Sequence, residues 1–336
     1  NVNFYNSIKL DFGKWDGKWI PHCIQVHYEW VIVSYSAGGK SGIIFWKLDG
    51  TQCNQFPTSF PALQLLFLTP HYVLAILEEG QLLPFHLFGE EGEKERWTSL
   101  PSVASRHTGR VSYAVITSHK EEEEEGRKAG PIEVWTGDTN GKISKWKIDL
   151  VVAFDPAISS RVASASNNKA AQQEKVTITH TGFLNAPGSI SNMMLFKLDG
   201  KGRVLVRCTG GEAVAFSLVA PNPSKKVMMI QPKQEATGCL LYVWHNEHVW
   251  SSSGNEIVVW SDECVGDARR GPSLNWTIVT RRKEHSDKIT SLCSIKNTLV
   301  CSASADHSLI LWDSVRCVPQ QKLLGHTGGV GWVVPL

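Results

Sequence analysis

At 336 residues, with 42% hydrophobic and 20% charged side chains, the chain can bury one large all-β core and is too apolar for a disordered tract. Its formal charge of +2 excludes a globally basic surface, so no nucleic-acid partner is expected. Eight dispersed cysteines without a Cys-x-x-Cys pair read as buried thiols, and no apolar run approaches the ~18 residues of a membrane span, so a cytoplasmic location is expected.

In chain order, "NVNFYNSIKL" (Asn1 to Leu10) has the pattern of a strand available to close a ring from the opposite chain end. Trp15 and Trp19 in "GKWDGKW" are candidate interface anchors, or else pack beneath the N-terminal strand. A recurring grammar then begins. An apolar strand is followed by a Ser- or Thr-bearing strand, a tight turn, and an alternating strand that ends on an aromatic residue. It is clearest in "VIVSYSAGGKSGIIFWKLD" (Val31 to Asp49), "EVWTGDTNGKISKWKID" (Glu133 to Asp149), "VWSSSGNEIVVWS" (Val249 to Ser261) and "VCSASADHSLILWD" (Val300 to Asp313). These place Trp46, Trp146, Trp260 and Trp312 in one slot. Weaker copies put Phe85 and Phe216 there. The preceding strands are "HCIQVHY", "LQLLFL", "VSYAVIT", "SNMMLFKL", "GCLLYVW" and "KITSLCSI". Such hairpins cannot bury an apolar face alone, so repeated units must pack on one another.

The aromatic slots lie roughly forty to seventy residues apart, and the shorter intervals match the ~40–45-residue period of four-stranded propeller blades. Insertions explain the longer intervals. Residues 119–131 carry five consecutive glutamates and read as a solvated acidic loop. Residues 156–175 form a Ser/Ala/Asn-rich loop insertion, and 266–283 hold "DARRGP" and "TRRK". Sustained helical periodicity is missing, so an all-β domain over residues 1–336 is expected. After six units, "LLGHTGGVGWVVPL" reads as the first strand of a seventh, giving a preferred count of seven blades, the last formed by both chain ends or incomplete. The chain starts on Asn1 rather than Met and stops directly after that strand-like run, which reads as an excerpt from a larger multidomain protein.

These residues resemble the WD-repeat family of β-propellers, and the stretch from Glu284 to Asp313 carries the resemblance best. It has the His of a Gly-His pair at His285, with Glu284 in place of Gly, then the Ser-rich strand, Asp306 and Trp312-Asp313; Gly325-His326 is a full pair. The resemblance implies a buried hydrogen-bonded set of His285, Ser302 or Ser304, Asp306 and Trp312. Gly-His pairs are not recognisable ahead of Trp46, Trp146 and Trp260. The family implies a non-catalytic protein-interaction scaffold or recruitment domain, of the kind found in large kinases, exchange factors, trafficking adaptors and ubiquitin-ligase subunits.

Other chemistry reads weakly. "SAGGKSG" (Ser36 to Gly42) contains Gly-Lys-Ser, but Ser34 stands where a phosphate loop needs its first Gly and a strand follows instead of a helix, so a hairpin turn is expected. His245 and His248 are three apart in a strand-turn context, not four apart on a helix, and no metal is expected there. Neither a Gly-x-Ser-x-Gly elbow nor a Cys beside a positioned base is recognisable, so no catalytic residue and no cofactor are assigned. Arg269-Arg270-Gly271 is similar to the Arg-Arg-Gly motif of phosphoinositide-binding propellers, although Ala268 replaces the large apolar residue. The alternative partner is therefore a membrane phosphoinositide held by Arg269 and Arg270. Together with Arg281, Arg282 and Lys283 they also form a candidate contact for an acidic protein. Protein or peptide is the leading partner, and oligomerisation through the apolar C-terminal strand stays open.

Overall fold

A computed structural model describes residues 19–335 except 28, 50–52, 89–95, 118–130, 154–172, 199–200, 211–212, 219–225, 231–237, 266–272 and 296–297. Among the described residues every regular element is a strand, and the strands form six four-stranded antiparallel blades in chain order. Blade 1 holds β1 (Ile20–His27), β2 (Trp30–Ala37), β3 (Lys40–Lys47) and β4 (Cys53–Thr58). Blade 2 holds β5 (Ala62–Thr69), β6 (Tyr72–Leu77), β7 (Leu82–Phe88) and β8 (Arg96–Ser99). Blade 3 holds β9 (Val111–Ile116), β10 (Ile132–Asp138), β11 (Lys142–Ala153) and β12 (Gln173–Asn185). Blade 4 holds β13 (Ile190–Leu198), β14 (Lys201–Cys208), β15 (Ala213–Ser217) and β16 (Lys226–Ile230). Blade 5 holds β17 (Leu240–Val243), β18 (His248–Ser253), β19 (Glu256–Val265) and β20 (Ser273–Arg282). Blade 6 holds β21 (Ile289–Ile295), β22 (Leu299–Ser304), β23 (Leu309–Asp313) and β24 (Val318–Leu323). The first strands β1, β5, β9, β13, β17 and β21 adjoin one another in that order, which places them along a common axis.

Turn chemistry sets the hairpins. The "GGK" of the phosphate-loop look-alike closes β2 onto β3, with Gly38 at φ +55° and Gly39 at φ +77°, the left-handed pair that a two-residue turn requires. In blades 1 to 4 and 6 the inner strand carries a one-residue bulge at the same place, at His22, Leu63, Ser112, Ser191 and Thr290. Three of these are hydroxyls that donate to the neighbouring strand: Ser112 to Gly137 O at 3.2 Å, Ser191 to Arg207 O at 3.1 Å and Thr290 to Ala303 O at 3.1 Å. A carbonyl freed by the bulge is thereby satisfied.

The six aromatic slots coincide in register. Trp46, Phe85, Trp146, Phe216, Trp260 and Trp312 each lie directly opposite a valine of the second strand, at Val31, Val73, Val134, Val204, Val249 and Val300. From blade 2 onward each ring faces the preceding blade. Phe85 packs on Trp30, Ile32 and Phe45 of blade 1, Trp146 on Leu74 and Ile76 of blade 2, and Phe216 on Trp135 and Ile143 of blade 3. Trp260 likewise meets Phe196 and Leu205 of blade 4, and Trp312 meets Trp250 and Val259 of blade 5. A buried ring of this size removes roughly 150–250 Å² from water, about 4–6 kcal/mol at ~25 cal/mol/Å². Ring burial therefore outweighs any single hydrogen bond of ~1 kcal/mol in holding blade to blade.

The seam falls between blades 6 and 1. Trp46 is only partly buried, packed with Tyr35, Ala37, Ile44 and Trp19, because the face it covers points away from blade 2. On the other side of the seam, blade 6 offers Cys293, Cys301, Leu311 and Leu323, against which Val333 packs. The expected seventh first strand does not form. Residues 324–335 contain no strand, and Val330 N–H donates to Ser304 O at 3.0 Å while Ser291 Oγ donates to Val333 O at 3.4 Å. One backbone bond supplemented by side-chain hydroxyls does not make a ladder. The candidate closing strand from Asn1 to Leu10 and Trp15 lie outside the described residues, so the described residues show six blades rather than the preferred seven.

The hairpins of blades 3 and 5 run long. β11 pairs with β12 as far as Ala153 opposite Gln173, so Gln173 to Lys175 of the Ser/Ala/Asn-rich segment belong to a strand. β16 and β20 pair in parallel through Met229 with Leu274 and Ile230 with Asn275, which joins blades 4 and 5 into one eight-stranded sheet. Covering the outer edge of blade 4 in this way removes an unpaired strand edge.

Candidate functional site

The polar set in blade 6 is complete. Trp312 Nε1–H donates to Ser302 Oγ at 2.8 Å, Ser302 Oγ lies 2.8 Å from His285 Nε2, and His285 Nδ1 lies 2.9 Å from Asp306 Oδ2. With a neutral imidazole protonated on Nδ1, every proton has an acceptor: indole to hydroxyl, hydroxyl to imidazole, imidazole to carboxylate. Asp306 also accepts from Ser286 N–H at 3.0 Å, Ser308 N–H at 3.0 Å and Ser308 Oγ at 2.6 Å. Burial disfavours its charge, but the bonds from Ser308, Ser286 and His285 outweigh that and hold the carboxyl well below the usual range. Burial lowers the His285 pKa despite Asp306, which keeps the ring neutral. Ser302 rather than Ser304 is the network hydroxyl. Ser304 Oγ instead faces Asp287 O at 2.9 Å and Lys288 O at 3.0 Å.

Blade 3 contains a second such set that sequence reading did not find. Trp146 Nε1–H donates to Thr136 Oγ1 at 2.8 Å, Thr136 lies 2.7 Å from His107 Nε2, and His107 Nδ1 lies 3.2 Å from Asp138 Oδ2. Burial raises the Asp138 pKa, but bonds from Lys142 N–H, Gly109 N–H and His107 bring it below the ordinary value, and burial lowers that of His107. A usable signal exists: His107 stands four residues before Val111, as His285 stands four before Ile289. The acidic insertion hides it by stretching the His-to-hydroxyl separation from 17 residues to 29. Blade 5 keeps half of the set. Trp260 Nε1–H donates to Ser251 Oγ at 2.8 Å, and Ser251 donates on to Val258 O at 3.3 Å without a histidine.

No family model matches the sequence, and no curated protein does. Among solved structures, the crystal structure of Chaetomium thermophilum Sqt1 bound to the N-terminus of the ribosomal protein L10 is similar, with a TM-score of 0.57 over 90% of this chain and 74% of that one, at 13% identity. The fold is that of a WD-repeat β-propeller.

On this propeller the turn carboxylates Asp138 and Asp306 sit on the face where the inner strands begin, here the front face. Their bonds to Gly109 and Ser286 tie each turn to the loop entering the same blade, and Asn255 Nδ2 of blade 5 donates to His285 O at 3.0 Å across to blade 6. The front rim is consequently a set of turns fixed by buried polar groups.

Arg269 and Arg270 lie outside the described residues, whereas Arg281 and Arg282 end β20, roughly 25–30 Å of strand away from its start. Arg281 pairs with Glu256 at 3.2 Å, Arg282 Nε donates to Cys317 O at 3.3 Å, and Lys283 is exposed just beyond. Arg281 and Arg282 thus stand at the end of an extended strand. Trp19 stacks on Tyr35 with ring centroids 4.2 Å apart, as the packed alternative for that residue required. His245 lies in the β17–β18 turn and His248 opens β18. Among the described residues no three His, Cys, Asp or Glu side chains are grouped to hold a metal ion. Burial pushes the Cys23 thiol up to about 12 and raises that of Cys239, which opposes nucleophilic use of either.

A second cluster joins the inner strands near the front face. Tyr113 of β9 is hydrogen-bonded by Asn192 of β13 and Gln64 of β5, and burial pushes its pKa up to about 12. Gln64 also accepts from Ala114 N–H. These contacts link the inner strands of blades 2, 3 and 4. Cys239 of blade 5 and Arg207 of β14 complete the group.

Proposed function

We propose that the propeller is a non-catalytic recognition domain that receives a protein or peptide on its front face. The observation that carries this reading is the fixed front rim. Asp138 and Asp306 each clamp a blade turn through several hydrogen bonds, and Asn255 ties blade 5 to blade 6. A surface held in one conformation before binding loses little entropy on association. The fold allows the same use, since the similar propeller Sqt1 is bound to a protein N-terminus. The larger context, whether kinase, exchange factor, adaptor or ligase subunit, is not needed for this reading.

The test compares the two faces. Arg106 and Lys288 are exposed on the front rim, while His245 and Glu247 are exposed in a turn on the opposite face. Partners captured from cells by the tagged full-length protein should be lost with Arg106→Glu plus Lys288→Glu and kept with His245→Glu plus Glu247→Lys. Loss with the second pair alone, or retention with both, rejects front-face recognition.

A further inference from the structure

The residue three places after each slot valine faces the following blade, and it is small in four blades: Ser34, Gly137, Ser252 and Ala303. Blade 2 has Ile76 there. Blade 4 has Arg207, of which only 7% is exposed. Its Nε is sealed from solvent with no acceptor, and among the described residues no carboxylate pairs with it. Directly opposite in register stands Asn192, whose Oδ1 is sealed with no donor while the side chain is engaged with Tyr113.

A guanidinium whose Nε–H is sealed from water without an acceptor is penalised, and folded chains rarely retain such a group without a use. The described surroundings supply no compensating charge. Burial lowers the Arg207 pKa, and the ionisable group that acts against this, Cys239, is held as a neutral thiol by its own burial. Lys288 acts on the same thiol, so a second positive charge lies close by. Arg203, on the same face of β14 two alternations away, is also buried with Nε unpaired. The backbone at Arg207 is fixed, since Ser191 Oγ holds its carbonyl at 3.1 Å. Ser191 is exposed and Tyr113 and Cys239 are partly so, which puts partly accessible side chains between this pair and the front face.

We propose that Arg207 and Asn192 form a site at the front end of the blade 4 inner strand for a peptide carboxylate flanked by an amide N–H. The carboxylate accepts from the Arg207 guanidinium and the N–H donates to Asn192 Oδ1, so one ligand satisfies both orphaned atoms. A free peptide terminus ending in its α-carboxylate and an aspartate each present that pair. The site rests on the front-face reading and names the chemistry it selects.

The experiment follows the Arg207 Nε–H signal by NMR in the full-length protein labelled with ¹⁵N-arginine, assigned with Arg207→Met. The probes are N-acetylglycine for a terminal α-carboxylate, N-acetyl-aspartyl amide for an aspartate, N-acetylglycinamide as the uncharged control and N-acetyl-phosphoserine amide. One of the two carboxylates should shift the signal saturably and bind about tenfold more tightly than the uncharged control, which is ~1.4 kcal/mol. Whichever does so identifies the source. Arg207→Met should abolish that binding yet melt no lower than the parent, because it removes an unpaired buried charge; Arg207→Lys should bind more weakly than the parent. Equal response to the uncharged control, preference for the phosphoserine probe, or a marked fall in melting temperature for Arg207→Met overturns the carboxylate site. Failure of the probes while the protein still captures partners through the front rim rejects this site alone; loss of front-rim dependence rejects the broader reading.

Discussion

Blades 6 and 2 place an aromatic ring in the same register and fix it by different means. In blade 6 the Trp312 indole needs an acceptor, and Ser302, His285 and Asp306 relay that need to a carboxylate. In blade 2 the ring is Phe85, Ala75 occupies the position of Ser302, and the ring is held by Phe45 at 5.0 Å and Phe56 at 5.0 Å between centroids, with Trp97 stacked on Phe45 at 4.5 Å. Apolar packing is sufficient to seat a blade. The polar relay adds a tie between the strand pair and the loop that enters it, which matters where the rim must keep its shape.

If that contrast is right, Phe85→Ala should cost most, ~3–5 kcal/mol in urea unfolding, since it opens a cavity in a cluster with no polar fallback. Its cost should not change between pH 5 and pH 7. Asp306→Ala should cost about 3 kcal/mol at neutral pH, because Ser286, Ser308 and His285 lose a shared acceptor. A cost below ~1 kcal/mol would show that the relay is ornamental beside ring packing. Trp312→Phe retains most of the ring and loses one bond, so ~1–2 kcal/mol is expected from the same measurement.

Acid should separate the two blades. His285 and His107 titrate lower in the folded protein than their ordinary ~6.5, so their contribution is full above that value and is lost as pH falls toward the folded pKa, where the unfolded protein already binds the proton. Asp306 and Asp138 are also depressed, and their contribution, present above ~3.9, is lost only in stronger acid. The melting temperature should thus fall from pH 7 to pH 5, and His107→Phe plus His285→Phe should flatten that slope. The smallest effect belongs to Arg281→Ala, within ~0.5 kcal/mol, since its pair with Glu256 is partly exposed and solvent-screened.

The blade pattern was legible because alternation, turn glycines and the terminal ring all repeat, so each inner strand and each aromatic slot reads directly from the residue order. Less visible was the second polar relay. Asp138 lies two residues after Thr136, whereas Asp306 lies four after Ser302, and the glutamate run pushes His107 far upstream. A residue that reaches one point in space from two sequence positions leaves no fixed spacing to find. Arg207 was hidden for another reason: an arginine in a strand reads as solvent-facing, and only the packing of blade 5 on that face of β14 turns it inward. Conversely, Arg281 and Arg282, which the sequence offers only as part of a positive stretch, close the extended strand β20.

Indole hydrogen exchange, read by NMR on ¹⁵N-tryptophan protein, addresses the common register of the blades most directly. The Nε1–H groups of Trp146, Trp260 and Trp312, each donated to a buried hydroxyl, should exchange only on global unfolding, while that of Trp332, 47% exposed, should exchange fast. Exchange of Trp146 or Trp312 as rapid as that of Trp332 would contradict the shared slot and the relays built on it.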